Sequence, residues 1–456
     1  MCGLLPFWDA WLGPVLAAVV GMVTLALVLE FVRRRALRLL VPDRKLHWTE
    51  RARSSVELKG LAVALAVSVA VVTAIQARSW QSASGCSRHG LVALAVALVA
   101  MGLLFRALGA IDAAYQGVSA TLGQRLRSVI ALLLVVRPAL LVTLLAVCSA
   151  GLAPRDGWIW LWVLAVAVAH CLASTGITYG LARRTGVLRP ARPVVLRAVE
   201  RACAVASIRP TSVDELALLM PNAFAFPIAG RIAFTVTAAG GLTEDELFGI
   251  ALHELGHLDE PRLVRWLRPL GGLTLVPVAV SVPLLATERS LAFGLLCGFA
   301  FVLAISSTKA SLRHEVAADA HARAHATDYA RSLEALHRLG GIPATVSVRT
   351  THPSLYDRML AAGVTPSYPR PKAPRRFALA AVFLLIPLLL AATELGSVLA
   401  RGLLIGLFPA DQAAYAAVAL RGNARDLAAL SLQVRAGDPE LGELLEQRSE
   451  EVDPIR

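Results

Sequence analysis

The stretch Thr243 to Glu260, TEDELFGIALHELGHLDE, decides how this chain is read. It contains His253-Glu254-Leu255-Gly256-His257, the H-E-x-x-H pattern. On an α-helix, positions i and i+4 share a face, so both imidazoles can reach one metal ion. Glu254 follows the first histidine and can reach a water on that ion. Two neutral nitrogen ligands, an open position and a carboxylate base are the parts a zinc hydrolase uses. The local signals favour a helix. Thr243 and Glu246 form a capping-box pair that satisfies orphan N–H groups at a helix start. Leu247, Ile250, Ala251, Leu255 and Leu258 recur at helical spacing, and Pro261 stops the helix soon after His257. The competing reading is a chance match on an ordinary helix with two surface histidines, and a third ligand elsewhere would decide against it.

Working outward, the surroundings are apolar. The 456 residues are 56% hydrophobic, with a mean hydropathy of +0.63, which is a polytopic membrane composition. The net charge of +13 sits mainly in arginine-rich loops beside apolar runs. No aromatic residues interleave with it to stack bases, so the charge reports membrane topology and nucleic acid binding is excluded as a partner class. Only Lys45, Lys59, Lys309 and Lys372 are lysines, which with the alanine richness suggests a GC-rich bacterial genome. The six cysteines are scattered without a C-x-x-C spacing, so neither a thiolate metal site nor a disulfide framework is indicated.

Apolar runs at Trp11 to Val32, Gly60 to Ala77, Gly90 to Phe105, Val129 to Leu152 and Gly157 to Tyr179 read as about five spans. The first is followed by Arg33-Arg34-Arg35 rather than a cleavage site and reads as a retained span. The basic loop 33–59 places the N-terminus outside and residue 181 in the cytoplasm. Arg137-Pro138 interrupts the fourth run and should kink it. From 181 to 268 the chain is less apolar. Pro193 to Val205 has helical spacing, and Val213 to Met220, Asn222 to Pro227 and Ile232 to Thr237 read as short strands. Pro221 and Ala229-Gly230 mark their turns. Pro269 to Leu285 and Leu291 to Ser307 form an apolar hairpin around a short polar loop. The segments are therefore 1–180, 181–268, 269–307, 308–374, a further apolar span at 375–408, and a helical acidic tail at 409–456.

The third ligand follows the hairpin. In Ser311-Leu-Arg-His-Glu-Val-Ala-Ala-Asp-Ala-His321, Glu315 and Asp319 lie at i and i+4 on one helix face. A carboxylate completes a two-histidine zinc site, and a second carboxylate can accept the other N–H of a ligating histidine. Further on, Thr351-His352-Pro353 and Arg358 offer groups for a developing oxyanion. His321 and His325 repeat the i, i+4 spacing, but such pairs are common on solvated helix faces. His170, inside an apolar run, reads as a packed, hydrogen-bonded residue rather than a ligand.

With these residues in hand, the chain resembles the integral-membrane zinc metallopeptidases that include the HtpX heat-shock protease and the CAAX prenyl protease. Asn222-Ala223-Phe224-Ala225 looks like that family's N-A-F strand. His253-Glu254-x-x-His257 looks like its metal helix, Glu315-x-x-Ala318-Asp319-x-x-Ala322 like its third-ligand helix, and His352-Pro353 with Arg358 like its H-P-x-x-x-x-R segment. Val316 stands where the family usually has an aromatic residue. The resemblance covers about residues 195–365. It implies a mainly α polytopic membrane protein with a small α+β gluzincin-type zinc metallopeptidase domain interrupted by a transmembrane hairpin. It implies one Zn2+ per chain on His253, His257 and Glu315, with Glu254 as general base and Asp319 behind the ligands. His352 would stabilise the transition state, Arg358 would be a structural or oxyanion partner, and Asn222 to Ala225 would pair with substrate. The partners would be a protein or peptide substrate and membrane lipid. The location would be the bacterial inner membrane, multi-pass, with the catalytic domain cytoplasmic. Two other functions fit parts of the pattern: a sensor-transducer peptidase that cuts a regulatory protein, and a non-catalytic membrane scaffold.

Overall fold

A computed structural model describes residues 4–40, 46–84, 89–117, 120–149, 157–286, 289–326, 328–345 and 353–375, with isolated positions at 391, 443, 446 and 447. His352, the apolar run after Arg376 and most of the acidic tail lie outside the described residues. The chain forms two units, one of residues 1–38, 57–111 and 376–456, the other of residues 39–56 and 112–375. The first three apolar runs fall within the long helices α1 (Leu4–Leu39), α2 (Trp48–Ser84) and α3 (His89–Gln116). Everything below belongs to the second unit.

Its centre is a four-stranded sheet of β1 (Leu188–Pro190), β2 (Ser212–Leu216), β3 (Ala223–Phe226) and β4 (Arg231–Thr235), in the order β1-β2-β4-β3. β2 and β4 are parallel and the other pairs antiparallel. The expected turn at Ala229-Gly230 is present, with Gly230 at φ +63°, a conformation glycine adopts without strain. β1 is the strand the sequence reading lacks. It has three residues and ends in Pro190 at a sheet edge, so it is too short for a period and carries a residue that usually marks a break.

The sheet is covered on both faces. On one, Ile232 and Phe234 pack against α8 (Pro193–Ala206) and α10 (Glu244–Leu258), through Val195, Val199, Leu247, Ile250 and Leu255. On the other, Leu216 and Ala233 meet Ala131, Leu134, Val135, Tyr179 and Ala182. The second group brings a difference from the sequence reading. The apolar run expected as one kinked span is bent by 100° between Leu122–Val136 and Pro138–Val147. Proline supplies no N–H and pushes its predecessor out of the helical region. Arg137 sits at φ −135°, its N–H reaching back five residues to the Leu132 carbonyl. Before the bend, α4 (Leu122–Ala131) and the π-turn Leu132–Val136 lie under the sheet, and after it comes α5 (Pro138–Cys148). An apolar run reads the same whether lipid or a sheet covers it.

α5, α6 (Ile159–Ser174) and α12 (Val276–Ala286) form an apolar layer through Ala146, Ile159, Val163, Val166, Ala279, Val280 and Leu284. His170 is fully buried there. Its Nδ1 donates to the Val166 carbonyl at 2.7 Å, and its Nε2 pairs with the Thr143 hydroxyl at 3.0 Å. It is a hydrogen-bonded helix residue, as its apolar neighbours suggest. α13 (Ser290–His325) continues from the apolar second limb of the hairpin without a break into the third-ligand sequence. Leu291, Leu295, Phe299, Phe301 and Val302 on its first half face outward, a large apolar surface suited to lipid. Among the described residues, Arg262–Ser281 and Ser290–His325 are long and apolar enough to cross a membrane, and the bent pair would make a third span.

Candidate metal centre

The site begins with α10. Thr243 accepts from the Glu246 N–H and Glu246 accepts from the Thr243 N–H, so the expected capping box is formed. Leu247, Ile250, Leu252 and Leu255 anchor the helix in the core. That leaves His253, Glu254 and His257 buried on the side toward α13. Gly256, between the histidines, lets the two helices approach closely. A Cβ there would stand 3.0 Å from the Ala318 Cα and 3.2 Å from the His321 Cβ. Its lack of a side chain brings Glu315 within reach.

His253 Nε2 lies 3.4 Å from one Glu315 carboxylate oxygen, and His257 Nε2 lies 3.4 Å from the other. These separations are long for hydrogen bonds. They match the edge of a ligand tetrahedron, about 3.3–3.6 Å for bonds of about 2.0–2.2 Å to zinc. Ligand atoms from all three residues lie within 4.8 Å of one another. Among the described residues this is the only such group of three; His321 and His325, with ring centroids 5.1 Å apart, gather no third ligand.

Both histidines are held by their other nitrogen. His253 Nδ1 is 2.9 Å from the Tyr329 hydroxyl and 3.1 Å from Asp319 Oδ1. His257 Nδ1 is 2.8 Å from Glu260 Oε1. A carboxylate on Nδ1 fixes the tautomer and leaves Nε2 as the metal-facing atom. Asp319 is itself held by Arg358, whose Nε donates to Oδ2 at 2.8 Å and whose Nη2 donates to Oδ1 at 2.5 Å. Tyr329, at the start of α14 (Tyr329–Gly340), donates to Asp319 and accepts from Arg358 Nη2. Glu260 is held by Arg268, whose Nε donates to Oε2 at 2.8 Å and whose Nη2 donates to Oε1.

The electrostatics of the two histidines follow from these partners. For the polypeptide alone, burial opposes charge on His257, but the carboxylates of Glu260 and Glu315 outweigh it and raise its pKa to about 10. His253 is also raised, burial being outweighed by Asp319 and Glu315. The Glu254 carboxylate adds to both shifts, which places its charge in the same pocket. The donor set is thus two imidazoles and a carboxylate within reach of one ion, and it fits a divalent transition metal.

The other expected site residues are placed as follows. Arg358, on α15 (Leu355–Ala361), is buried and directs Nε and Nη2 to Asp319 and Tyr329. Ala223, Phe224 and Ala225 lie on β3, an end strand of the sheet that packs against α10. Ala223 and Ala225 face the α10 core and Phe224 the opposite one. The Asn222 backbone bonds Thr235 through both its N–H and its C=O. Glu260, Arg268, Tyr329 and Gly256 are the site residues that sequence reasoning misses. Glu260 had a signal: it stands three residues after His257, within one turn's reach. Tyr329 is 76 residues from the histidine it touches, and no spacing rule links them.

An H-E-x-x-H helix, a glutamate from a second helix and hydrogen-bonded imidazoles on a small α+β domain define a metal-dependent hydrolase site. Residues 193–363 match the model of Peptidase family M48, so this domain is similar to the metallopeptidases that the chain's motifs resemble. No curated protein and no solved structure matches the chain.

Proposed function

We propose that the chain is a membrane-bound zinc endopeptidase that hydrolyses peptide bonds in membrane-associated or misfolded proteins. The observation that carries this reading is the convergence of His253 Nε2, His257 Nε2 and Glu315, with each Nδ1 already committed to a carboxylate. Zinc on these three residues would supply Lewis acidity for the scissile carbonyl and for water. Glu254 then takes the proton from the attacking water and delivers it to the departing amine. Asp319 and Glu260 keep the two imidazoles oriented and neutralise the charge that builds on them. Arg358, engaged with Asp319, suits the structural of its two expected roles. His352 remains the proposed transition-state stabiliser on the strength of the resemblance. Asn222 to Ala225 offer an end strand beside the metal helix, where an extended substrate can add by β-augmentation. The apolar helices favour a multi-pass location in the plasma membrane, and the arginine-rich loops favour a cytoplasmic catalytic domain.

The test compares detergent-purified wild type with Glu254→Gln for zinc content and for cleavage of an unfolded protein. The expected outcome is equal zinc in both, chelator-sensitive cleavage by the wild type, and a loss of about 10²–10⁴-fold or more in the variant. Zinc in both and no cleavage of any substrate would favour a narrow-specificity sensor protease. A wild type without zinc would leave the scaffold reading.

A further inference from the structure

We propose that Glu260 and Arg268 are positioning residues that make the metal centre depend on how the apolar hairpin is seated, an inference that rests on the metallopeptidase reading above. Glu260 lies just beyond the end of α10, its side chain 5% exposed. It bonds His257 Nδ1 through one oxygen and Arg268 through both. Arg268 belongs to a different part of the fold. It opens the 3-10 segment Arg268–Leu275, which runs directly into α12, the first limb of the hairpin. Between Glu260 and Arg268 the chain turns at Pro261 and forms the short α11 (Arg262–Leu267).

The same 3-10 segment is locked at a second point. A Cβ on Gly272 would stand 3.0 Å from the Ser174 Oγ and 3.2 Å from the His170 carbonyl oxygen, so the backbone there sits directly on α6. Four residues along, Arg268 reaches the carboxylate that orients a metal-facing histidine. A shift of the hairpin against α6 therefore moves the Arg268 guanidinium and, through Glu260, turns the His257 imidazole. Outer partners of this kind set ligand orientation and basicity. His253 is held from other elements: its partners Asp319, Tyr329 and Arg358 come from the last turns of α13, the continuation of the hairpin's second limb, and from α14 and α15, none of them from the 3-10 segment.

The experiment measures the affinity of the full-length detergent-purified chain for Zn2+ by competition with a chromophoric chelator, and the visible spectrum of its Co2+ form. Arg268→Ala is expected to weaken Zn2+ binding about 10–100-fold and to shift the Co2+ bands. Arg268→Lys should recover part of the loss, since it keeps the charge without the two-pronged contact. Gly272→Val should also weaken binding. In the Arg268→Ala background it should add nothing, because both changes act through one contact. Arg262→Ala, at an exposed arginine of the neighbouring α11, should bind as wild type. Equal affinity and spectra in wild type and Arg268→Ala would overturn the inference, as would a Gly272→Val loss that adds in full to that of Arg268→Ala. A wild type that holds no metal would instead overturn the reading beneath it.

Discussion

The two histidines of the metal helix are chemically alike, four residues apart and equally buried, yet they are held from opposite directions. His253 is held by the domain itself. Asp319, Tyr329 and Arg358 form a closed buried cluster, with the Arg358 and Asp319 side chains 7% and 9% exposed. His257 is held from the hairpin side, and the arginine at the end of that chain is 39% exposed. The difference shows how a metallopeptidase-like domain interrupted by an apolar hairpin can divide its candidate ligands. One imidazole is fixed from the last turns of α13 together with α14 and α15, the other through the 3-10 segment that leads into the hairpin's first limb. Glu315 belongs to both arrangements, because α13 is at once the hairpin's second limb and the third-ligand helix.

The comparison breaks most sharply on stability. Arg358→Ala removes one partner of a buried ion pair and leaves the Asp319 carboxylate without its guanidinium. The expected cost is about 3–5 kcal/mol, read as a fall in the denaturant or thermal midpoint of the metal-stripped protein. Arg268→Ala, at a half-exposed arginine, should cost roughly 1 kcal/mol or less by the same measurement. Equal losses would mean that the two histidines are not held by different parts of the fold.

A smaller effect comes from the residue that serves both sides. Gly256→Ala places a methyl 3.0 Å from the Ala318 Cα, in backbone that cannot rotate away. Overpacking of this kind costs about 1–3 kcal/mol. It should also move Glu315 away from both imidazoles together, so zinc affinity falls whether or not Arg268 is present. Additivity of Gly256→Ala with Arg268→Ala, measured as zinc affinity of the double variant, is the expected result. Non-additivity would merge the two halves of the site.

Sequence shows those parts of this arrangement that depend on short spacings. The histidine pair, the Glu315 and Asp319 pair and the capping box are all i, i+3 or i, i+4 relations on one helix, which any helix enforces. Glu260 obeys the same rule and was legible in the opening stretch, where its charge reads first as polar surroundings. Tyr329 and Arg268 are not legible, because their partners are set by how helices from different parts of the chain pack. The bend at Arg137-Pro138 follows from proline chemistry, but its destination under the sheet does not. Leu132 to Val136 are equally suited to lipid and to the face of a sheet. β3 is readable from alternation, and β1 is recognised only by its pairing with β2.

The smallest predicted effect supplies a reference for the hairpin side. Glu215 on β2 is fully buried and held by two part-exposed arginines, Arg192 at 2.6 Å and Arg189 at 3.0 Å, with no histidine behind it. It has the same construction as Glu260 with Arg268, without a ligand attached. Burial alone would raise its pKa, but the Arg192 and Arg189 contacts outweigh burial and hold it below the usual value. A carboxylate depressed in the folded state contributes stability that is present above its unfolded pKa of about 4.3 and is lost as pH falls through the folded value. Wild type should therefore lose stability on acidification below about pH 4, and Glu215→Gln, which cannot titrate, should lose less over the same range. Zinc affinity at neutral pH should be unchanged within about twofold, because Glu215 orients no ligand. If Glu215→Gln weakened zinc binding as much as Arg268→Ala, the arginine on Glu260 would be one more stabilising ion pair of the domain, and the division between the two histidines would fail.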